Sequence, residues 1–409
     1  MLNRPEPACL VIADISGYTG YLAAAELDHA QDVLADLIST VVGALRPMFR
    51  LAKLEGDAAF TYLLGETLDG SSLLDTIETC YETFRRRVRD IERASRCDCN
   101  ACVLIPKLDL KVVAHHGTVV RQRILGREEL TGADVVIAHR LLKNTIVADL
   151  GVEAYAAYTE ACITAMGIAD PAAVGLVAHD EPIEHLGTVR VWVADLDAAW
   201  RRRAAATHVV VEAADATWSI ETFLPAPPPI AWEWMTSPAR RPTWQDGVIA
   251  VTEASATGRR GVGTTNHCVH GRNAASIEEI LDWRPYDVIT IRFQMPIPGA
   301  PKLLITDTFE PVEGGTRHTS RIGRPRSIRD RAFLTVLMPL IEKSMRAGMA
   351  DLVPKIAADV ANRSAGADVP VEPPLPVSAR RFESAPIVIL SNRDGPGRGA
   401  IDGGVQPAG

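Results

Sequence analysis

Two aspartates in the first sixty residues stand where they could bind a divalent cation. Asp14 ends the apolar run 10–13 and precedes a glycine-containing turn, and Asp57 lies in a second tight turn 43 residues later. That spacing fits one strand, a helix predicted over 24–49 and a second strand, so the carboxylates can lie side by side. Carboxylate oxygens suit Mg²⁺ or Mn²⁺, and such a pair can hold the two ions that clamp a triphosphate. The alternative is that both aspartates only cap strand ends.

Three thiols lie within six residues, at Cys97, Cys99 and Cys102, and are called the Cys cluster here. They follow a basic amphipathic helix predicted over 84–96. Zinc prefers four tetrahedral sulfur or nitrogen ligands, and closely spaced cysteines on a turn begin many structural zinc sites. The cluster therefore predicts a bound Zn²⁺ with a histidine or water as the fourth ligand. The alternative is three ordinary thiols on a connecting loop.

Four segments in the first half resemble class III nucleotidyl cyclases, the adenylate and guanylate cyclase family. Residues 14–19 (Asp-Ile-Ser-Gly-Tyr-Thr) are similar to the family's Asp-Ile-x-Gly-Phe-Thr, and residues 53–57 (Lys-Leu-Glu-Gly-Asp) to its Lys-x-x-Gly-Asp. Segments 108–117 and 132–141 follow in the family's order and resemble its central strand and its Gly-x-x-Val-Asn-x-Ala-x-Arg-Leu helix. A related bacterial family of cyclase-like domains without assigned function is similar in the Cys cluster and in residues 139–144. The resemblance covers roughly residues 8–196 and implies a ferredoxin-like α/β domain.

The same resemblance implies roles for individual residues. It implies metal binding by Asp14, Asp57 and the Ile15 carbonyl, phosphate binding by the turn amides of Gly17, Tyr18 and Thr19, purine selection by Lys53, and transition-state stabilisation by Arg140. Two positions depart from the family pattern. Val136 stands where the catalytic Asn falls, and residues 184–187 stand where active cyclases carry a triphosphate-binding Lys. The family builds each site across a dimer interface, so the resemblance also implies a homodimer.

The second half has a different pattern: one strand, a short helix, about six antiparallel strands, and a long amphipathic helix from Ile328 to about Asn362. This order resembles the START-like helix-grip superfamily, which includes the polyketide-cyclase and birch-allergen-like proteins, over residues 217–362. The resemblance implies a curved antiparallel sheet around the terminal helix, with an apolar cavity between them. The residues expected to line that pocket are Trp244, Trp283, Phe293 and Met295. We expect an enclosed site for a hydrophobic or amphipathic small molecule between the helix and residues 275–322.

Length and composition set the frame for these motifs. With 409 residues the chain is long enough for two domains, and its fold class is expected to be α+β. The net charge of −8 argues against nucleic acid or an anionic membrane as the main partner. No apolar run reaches the ~20 residues that span a bilayer, and no signal-peptide pattern precedes the first strand. Seven unevenly spaced cysteines fit a reducing cytoplasm.

We therefore expect a cyclase-like domain over 8–197, a linker over 198–216, a START-like domain over 217–362, and a Pro/Gly-rich, mostly disordered tail over 363–409. The first functional hypothesis is a signalling protein, in which a degenerate nucleotide- and metal-binding domain is coupled to a hydrophobic-ligand domain. The second is a non-catalytic ligand-binding protein that uses the cyclase fold only to dimerise. An active adenylate cyclase, and an enzyme whose chemistry lies in the helix-grip cavity, are the remaining alternatives.

Overall fold

The computed structural model describes residues 4–94, 99–125, 127–270, 275–297, 299–364 and 387–388. Cys97 and most of the predicted tail lie outside the described residues. The fold is α+β, as predicted: a mixed sheet with helices is followed by a curved antiparallel sheet and a long helix. Among the described residues, no helix is long and apolar enough to cross a membrane.

The first sheet has eight strands. The apolar run 8–13 is fully buried, because its strand lies inside the sheet and both faces are covered. The strands are β1 (Glu6–Ser16), β2 (Arg50–Glu55), β3 (Ala58–Leu64), β4 (Asp109–Ile124), β5 (Arg127–Thr131), β6 (Tyr155–Thr159), β7 (Val177–Ile183) and β8 (Gly187–Asp195). Their order is β2-β3-β1-β4-β6-β8-β7, with β5 paired to β4. The strand β1 thus lies between β3 and β4, which sets both neighbours of Asp14.

Helices cover this sheet. They are α1 (Tyr18–Ala24), α2 (Leu27–Leu45), α3 (Gly70–Ala94), α4 (Asn100–Leu104), α5 (Ala133–Arg140), α6 (Ile146–Leu150), α7 (Glu160–Ala165) and α8 (Leu196–Ala204). The helix predicted over 24–49 is α2, which begins three residues later and ends four residues earlier, after a break at Ala25 and Glu26. The break lets the Glu26 carboxylate accept hydrogen bonds from the amides of Asn100 and Ala101 at 3.3 and 3.0 Å. Helix α8 lies in the segment expected to be a linker.

The second sheet is antiparallel, and each strand pairs with its neighbour in sequence except at one edge. After the short β9 (His208–Val209), its strands and helices are β10 (Ala216–Leu224), α9 (Pro228–Thr236), β11 (Ala250–Ala254), β12 (Thr265–Val269), β13 (Ala275–Arg284), β14 (Val288–Gln294), β15 (Lys302–Val312), β16 (Gly315–Gly323) and α10 (Ile328–Ser364). The last strand, β17 (Ile387–Val388), pairs with β9. The strand β10 returns to pair with β16, so the sheet order is β10-β16-β15-β14-β13-β12-β11.

Helix α10 is continuous although Pro339 and Pro354 lie inside it. Both prolines are exposed, so the carbonyls that lose a hydrogen bond can face water. The buried side of the helix packs on two apolar clusters. The proximal cluster includes Leu224, Trp232, Trp244, Ile289, Phe309, Met349, Leu352 and Ile356. The distal cluster includes Met295, Leu303, Ile322 and Leu334, with Phe293, Ile305 and Ile341 packed against it.

Candidate functional site

Asp14 and Asp57 lie at the same end of the β1–β3 pair. Asp14 is the cross-strand partner of Ala58, and the Ile15 amide donates a hydrogen bond to the Asp57 carbonyl at 3.3 Å. Burial raises the pKa of Asp57, and the negative charge of Asp14 raises it further. The structure therefore brings the two carboxylates into one site.

A lysine already compensates this pair. Lys111 on β4 is the direct cross-strand partner of Asp14, and its Nζ lies 3.0 Å from Asp14 Oδ2. The positive charge of Lys111 also opposes the rise in the pKa of Asp57. Two carboxylates and the Ile15 carbonyl would suit Mg²⁺ or Mn²⁺. The Lys111 ammonium group, however, already supplies a positive charge beside Asp14. A divalent cation at this site would therefore have to displace the Lys111 ammonium from Asp14.

The turn after Asp14 is built on Gly17, which has φ +85° and precedes α1. A Cβ at Gly17 would lie 3.2 Å from the Lys107 carbonyl oxygen, so both the backbone conformation and the space favour glycine. A cavity of about 100 Å³ next to this turn is lined by Tyr18, Leu34, Ala35, Ile38, Gly56 and Asp57. It is smaller than the ~300–1,000 Å³ of usual small-ligand sites.

Lys53 and Arg140 each have a carboxylate partner. Lys53 Nζ lies 2.7 Å from Glu55, whose other oxygen lies 2.9 Å from His139 Nε2. Arg140 lies 3.8 Å from Glu184, in the segment where the cyclase resemblance expects a lysine. Val136 and Arg140 are half exposed and one helical turn apart on α5, so both face outward.

The Cys cluster is described only in part. Cys99 and Cys102 are half buried, and neither forms a disulfide within the described part of the chain. Within that part, no three histidine, cysteine or acidic side chains converge on a metal position. The prediction of a zinc site, which needs Cys97, stays a prediction.

His115, in the segment 108–117 that resembles the cyclase central strand, joins β4 to its neighbours. Its Nε2 lies 3.0 Å from Asp134 and its Nδ1 2.9 Å from the Thr159 hydroxyl. Burial lowers the pKa of His115, although the Asp134 hydrogen bond opposes this. Gly117 is required beside it, because a Cβ there would lie 2.2 Å from Asp134 Cγ. The motif residues 115–117 and 132–134 therefore hold α5 on the sheet.

The two domains meet along a buried charged interface, called the seam here: the acidic start of α3, the loop 255–264, and Arg203 of α8. Arg259 contacts Asp75 and Glu78, each at 2.7 Å, and Arg203 contacts the same carboxylates at 3.2 and 2.6 Å. Arg260 contacts Asp69 at 3.1 Å. The side chains of Asp75 and Glu78 are 2% and 9% exposed, so water does not screen these ion pairs much.

The seam also uses residues at the β13–β14 turn. Trp283 Nε1 donates to Asp75 at 2.9 Å, and the Tyr286 hydroxyl lies 2.7 Å from the Thr76 hydroxyl. Burial raises the pKa of Asp75 in spite of the two arginines. Burial opposes ionisation of Glu78 too, but Arg259 and Arg203 prevail and lower its pKa to about 2. One end of the second sheet is therefore held directly on α3.

The four residues expected to line a pocket are divided between the two apolar clusters. Trp244 and Trp283 belong with the proximal cluster, Phe293 and Met295 with the distal cluster. A cavity of about 180 Å³ lies elsewhere, at the domain junction. It is lined by Met48, Phe49, Leu63, Thr67, Leu68, Asp69, Ser72, Leu73, Thr76, Glu233, Arg240 and Arg363.

Two family models match this chain, one in each domain. The model of a family of unknown function, DUF2652, matches residues 34–150. The model of the family described as polyketide cyclase / dehydrase and lipid transport matches residues 215–357. The expected resemblance of the second domain is confirmed by this match. An uncharacterized protein of Mycobacterium tuberculosis is 39% identical over 115 residues, 28% of this chain and 52% of the relative. The chain spans about half the length of that relative.

The N-terminal domain is similar in structure to class III adenylyl and guanylyl cyclases. The adenylyl cyclase CyaB from P. aeruginosa is 13% identical, with 48% of this chain and 97% of that chain covered and a TM-score of 0.36. The guanylyl cyclase Cya2 is 12% identical, with 47% and 93% covered and a TM-score of 0.36. Part of this chain is also similar to protein Ms6760 from Mycobacterium smegmatis, which is 17% identical, with 36% of this chain and 93% of that chain covered and a TM-score of 0.29.

Proposed function

We propose that this chain is a two-domain signalling protein that binds a hydrophobic small molecule in the helix-grip domain and a nucleoside triphosphate in the cyclase-like domain. The seam is the observation that carries the proposal, because it ties the second sheet to α3 through buried charges. The match to the polyketide cyclase and lipid transport family supports the hydrophobic ligand. A ligand that moves the β13–β14 turn would act on α3 through Trp283 and Tyr286.

The same proposal holds that nucleotide binding is retained while cyclisation is weak or lost. Lys111 compensates Asp14, Val136 cannot hydrogen-bond a ribose, and Arg140 is paired with Glu184. The loss of one preorganised transition-state donor typically lowers a rate ~10²–10³-fold. Phosphate oxygens could instead be held by Lys111 and the amides of residues 17–19, without a metal clamp.

The homodimer belongs to this proposal as well. The outward side chains of Val136 and Arg140 on α5 are accessible to a second copy of the chain. In cyclases the corresponding residues complete the site of the partner. Dimerisation through the first domain would therefore bring Arg140 to the Asp14 site of the other protomer.

Incubation of the full chain with ATP or GTP and Mn²⁺ tests the proposal, with assays for nucleotide binding and for cyclic product. We expect binding with cyclic product at background. A thermal-shift screen of fatty acids, sterols and aromatic polyketides is run with and without the nucleotide. Stabilisation that depends on both ligands together would support coupling. Rapid cyclic-product formation would favour the active-cyclase alternative. The proposal would be refuted if no hydrophobic ligand bound or if no nucleotide bound.

A further inference from the structure

The second sheet carries three polar side chains on one face, called the polar belt here: the partly buried Asp307 on β15, and the buried His318 and Ser320 on β16. His318 Nε2 lies 3.2 Å from Asp307 Oδ1, and Ser320 is the cross-strand partner of Asp307. His318 is 0% exposed and Ser320 1% exposed. They are therefore polar groups within the interior of the domain, not at its surface.

The belt faces α10 between the two apolar clusters. Side chains two residues apart on a strand point to the same face, and the residues two before and two after Asp307 are Ile305 and Phe309. Ile305 packs on the distal cluster and Phe309 belongs to the proximal cluster. Ser320 likewise precedes Ile322 of the distal cluster by two residues. The interior is thus apolar at both ends and polar in the middle.

Helix α10 carries a flexible side chain between the residues that pack on the two clusters. Ile341 packs on the distal cluster and Met349 belongs to the proximal cluster, eight residues further along α10. Met345 lies one helical turn from each, on the same side of the helix. An unbranched methionine can change rotamer to admit a ligand.

Two atoms of the belt lack a partner. Asp307 accepts the hydrogen bond of His318 Nε2–H, which in a neutral imidazole leaves Nδ1 as an acceptor. His318 Nδ1 and Ser320 Oγ have no hydrogen-bond partner anywhere in the part of the chain that the structure describes. Unpaired polar atoms in an interior cost free energy and call for a ligand, a water or a catalytic role. One hydroxyl group can satisfy both, because it donates to Nδ1 and accepts from the serine.

We propose that the polar belt orients the small-molecule ligand, which is an amphipathic molecule with a hydroxyl group midway along an apolar skeleton. The hydroxyl binds His318 and Ser320, and the two apolar ends pack against the proximal and distal clusters. This inference rests on the proposed function and specifies its ligand. Arg241 and Glu278, also buried in this domain, are bonded to each other twice at 2.6 Å and need no ligand.

Three probes of equal length test the role of the hydroxyl: dodecan-6-ol, dodecan-6-one and dodecane, titrated into the full chain by calorimetry. We expect the alcohol to bind about tenfold more tightly than dodecane, because its hydroxyl group gives His318 and Ser320 the hydrogen bonds that they lack. In ¹⁵N NMR, Nδ1 of His318 should shift on addition of the alcohol and not of dodecane. A histidine with a merely structural role would show no such difference.

The variant Ser320→Ala separates ligand binding from folding. It removes an atom without a partner in the structure, so stability should be unchanged or raised while the preference for the alcohol falls to about twofold or less. Ser276→Ala is the matched control, since the Ser276 hydroxyl is equally buried but bonded to His270 at 3.1 Å. That control should lower stability and leave the alcohol preference intact. The double variant His318→Phe with Asp307→Leu removes the pair without stranding a charge and should also abolish the preference.

The outcomes separate the inference from the function on which it rests. Equal affinity for all three probes, or an undiminished alcohol preference in Ser320→Ala, would overturn the inference, leaving an ordered water as the partner of the belt. The proposed function would survive both results. Binding of none of the three, together with no hit in the lipid screen, would overturn both.

Discussion

Replacing Lys111 with methionine should turn the Asp14–Asp57 site into a better divalent-cation site. The ammonium lies 3.0 Å from Asp14, so a bound Mn²⁺ would lie close to it. Two unit charges 4 Å apart interact by about 1 kcal/mol in bulk water and about 4 kcal/mol near a protein surface. A divalent ion doubles this, so Lys111 opposes Mn²⁺ binding by about 2 to 8 kcal/mol. Because the Lys111 side chain is only 25% exposed, the lower end, which applies to bulk water, is a minimum. The Kd of the variant should therefore be at least about 30-fold tighter.

The same substitution should destabilise the metal-free protein. Without the lysine, the charges of Asp14 and Asp57 repel each other uncompensated, which should cost about 1–2 kcal/mol for a partly buried pair. The pKa of Asp57, already raised by burial and by Asp14, should rise further because Lys111 now lowers it. Added Mn²⁺ should restore the lost stability in the variant and have little effect on the wild type.

Calorimetric titration of Mn²⁺ into the full chain, with a melting curve at each concentration, measures both effects. Lys143→Met is the matched control, because Lys143 is an exposed lysine of the same domain. Adding Asp57→Asn to the Lys111 variant should remove the gained affinity. Equal Mn²⁺ affinity in the wild type and the Lys111 variant would refute the view that the ammonium takes the place of a metal.

Further predictions concern the seam, the Cys cluster and the oligomer. Arg259→Met should lower the free energy of unfolding in a urea titration by about 3 kcal/mol, because it leaves two buried carboxylates short of a partner. The control Arg292→Met breaks an exposed ion pair and should cost less than about 1 kcal/mol in the same titration. The lowered pKa of Glu78 predicts stability that is present above pH 4.5 and lost as the pH falls towards 2, so Glu78→Gln should flatten the acid-unfolding profile over this range. A profile as steep as the wild type's would contradict this assignment. Elemental analysis of protein purified without chelator should find about one zinc per chain, and absence of metal would leave the loop interpretation of the Cys cluster. Light scattering at micromolar concentration should give a dimer, and a strict monomer would remove the basis for a shared site.

Local patterns were enough to predict the α+β class and most strands of the second sheet. The one strand and about six antiparallel strands expected in the second half are β10 and β11–β16, because turn residues separate alternating apolar runs. Helix α10 was predicted to within two residues at its end. Helix α1 and the break before α2 were not predicted, because the cause of the break is tertiary: Glu26 accepts hydrogen bonds from amides more than seventy residues away.

Contacts between distant segments also limited the prediction of the site residues. Lys111 lies in a segment recognised as a strand, but only the β1–β4 register places it opposite Asp14. The seam joins α3 to Arg259, more than 180 residues later in the chain. The spacing of apolar residues along a sequence does not predict contacts between such distant segments. The Asp307–His318 pair is different. The two residues are eleven apart across a hairpin with glycines at 314 and 315, so a register argument from the sequence could have found it.

The seam has a consequence for how the molecule loses its structure. Cleavage of the chain between α8 and β10 would separate Asp75 and Glu78 from Arg259. In the other fragment, the polar atoms of Trp283 and Tyr286 would lose their partners and face water. Arg363 at the end of α10 adds a contact with the Pro47 carbonyl at 3.4 Å, so both ends of the second domain are held on the first. Neither half is then an independent thermodynamic unit. The chain should melt in a single cooperative calorimetric transition, and each half expressed alone should be less stable than it is in the intact chain.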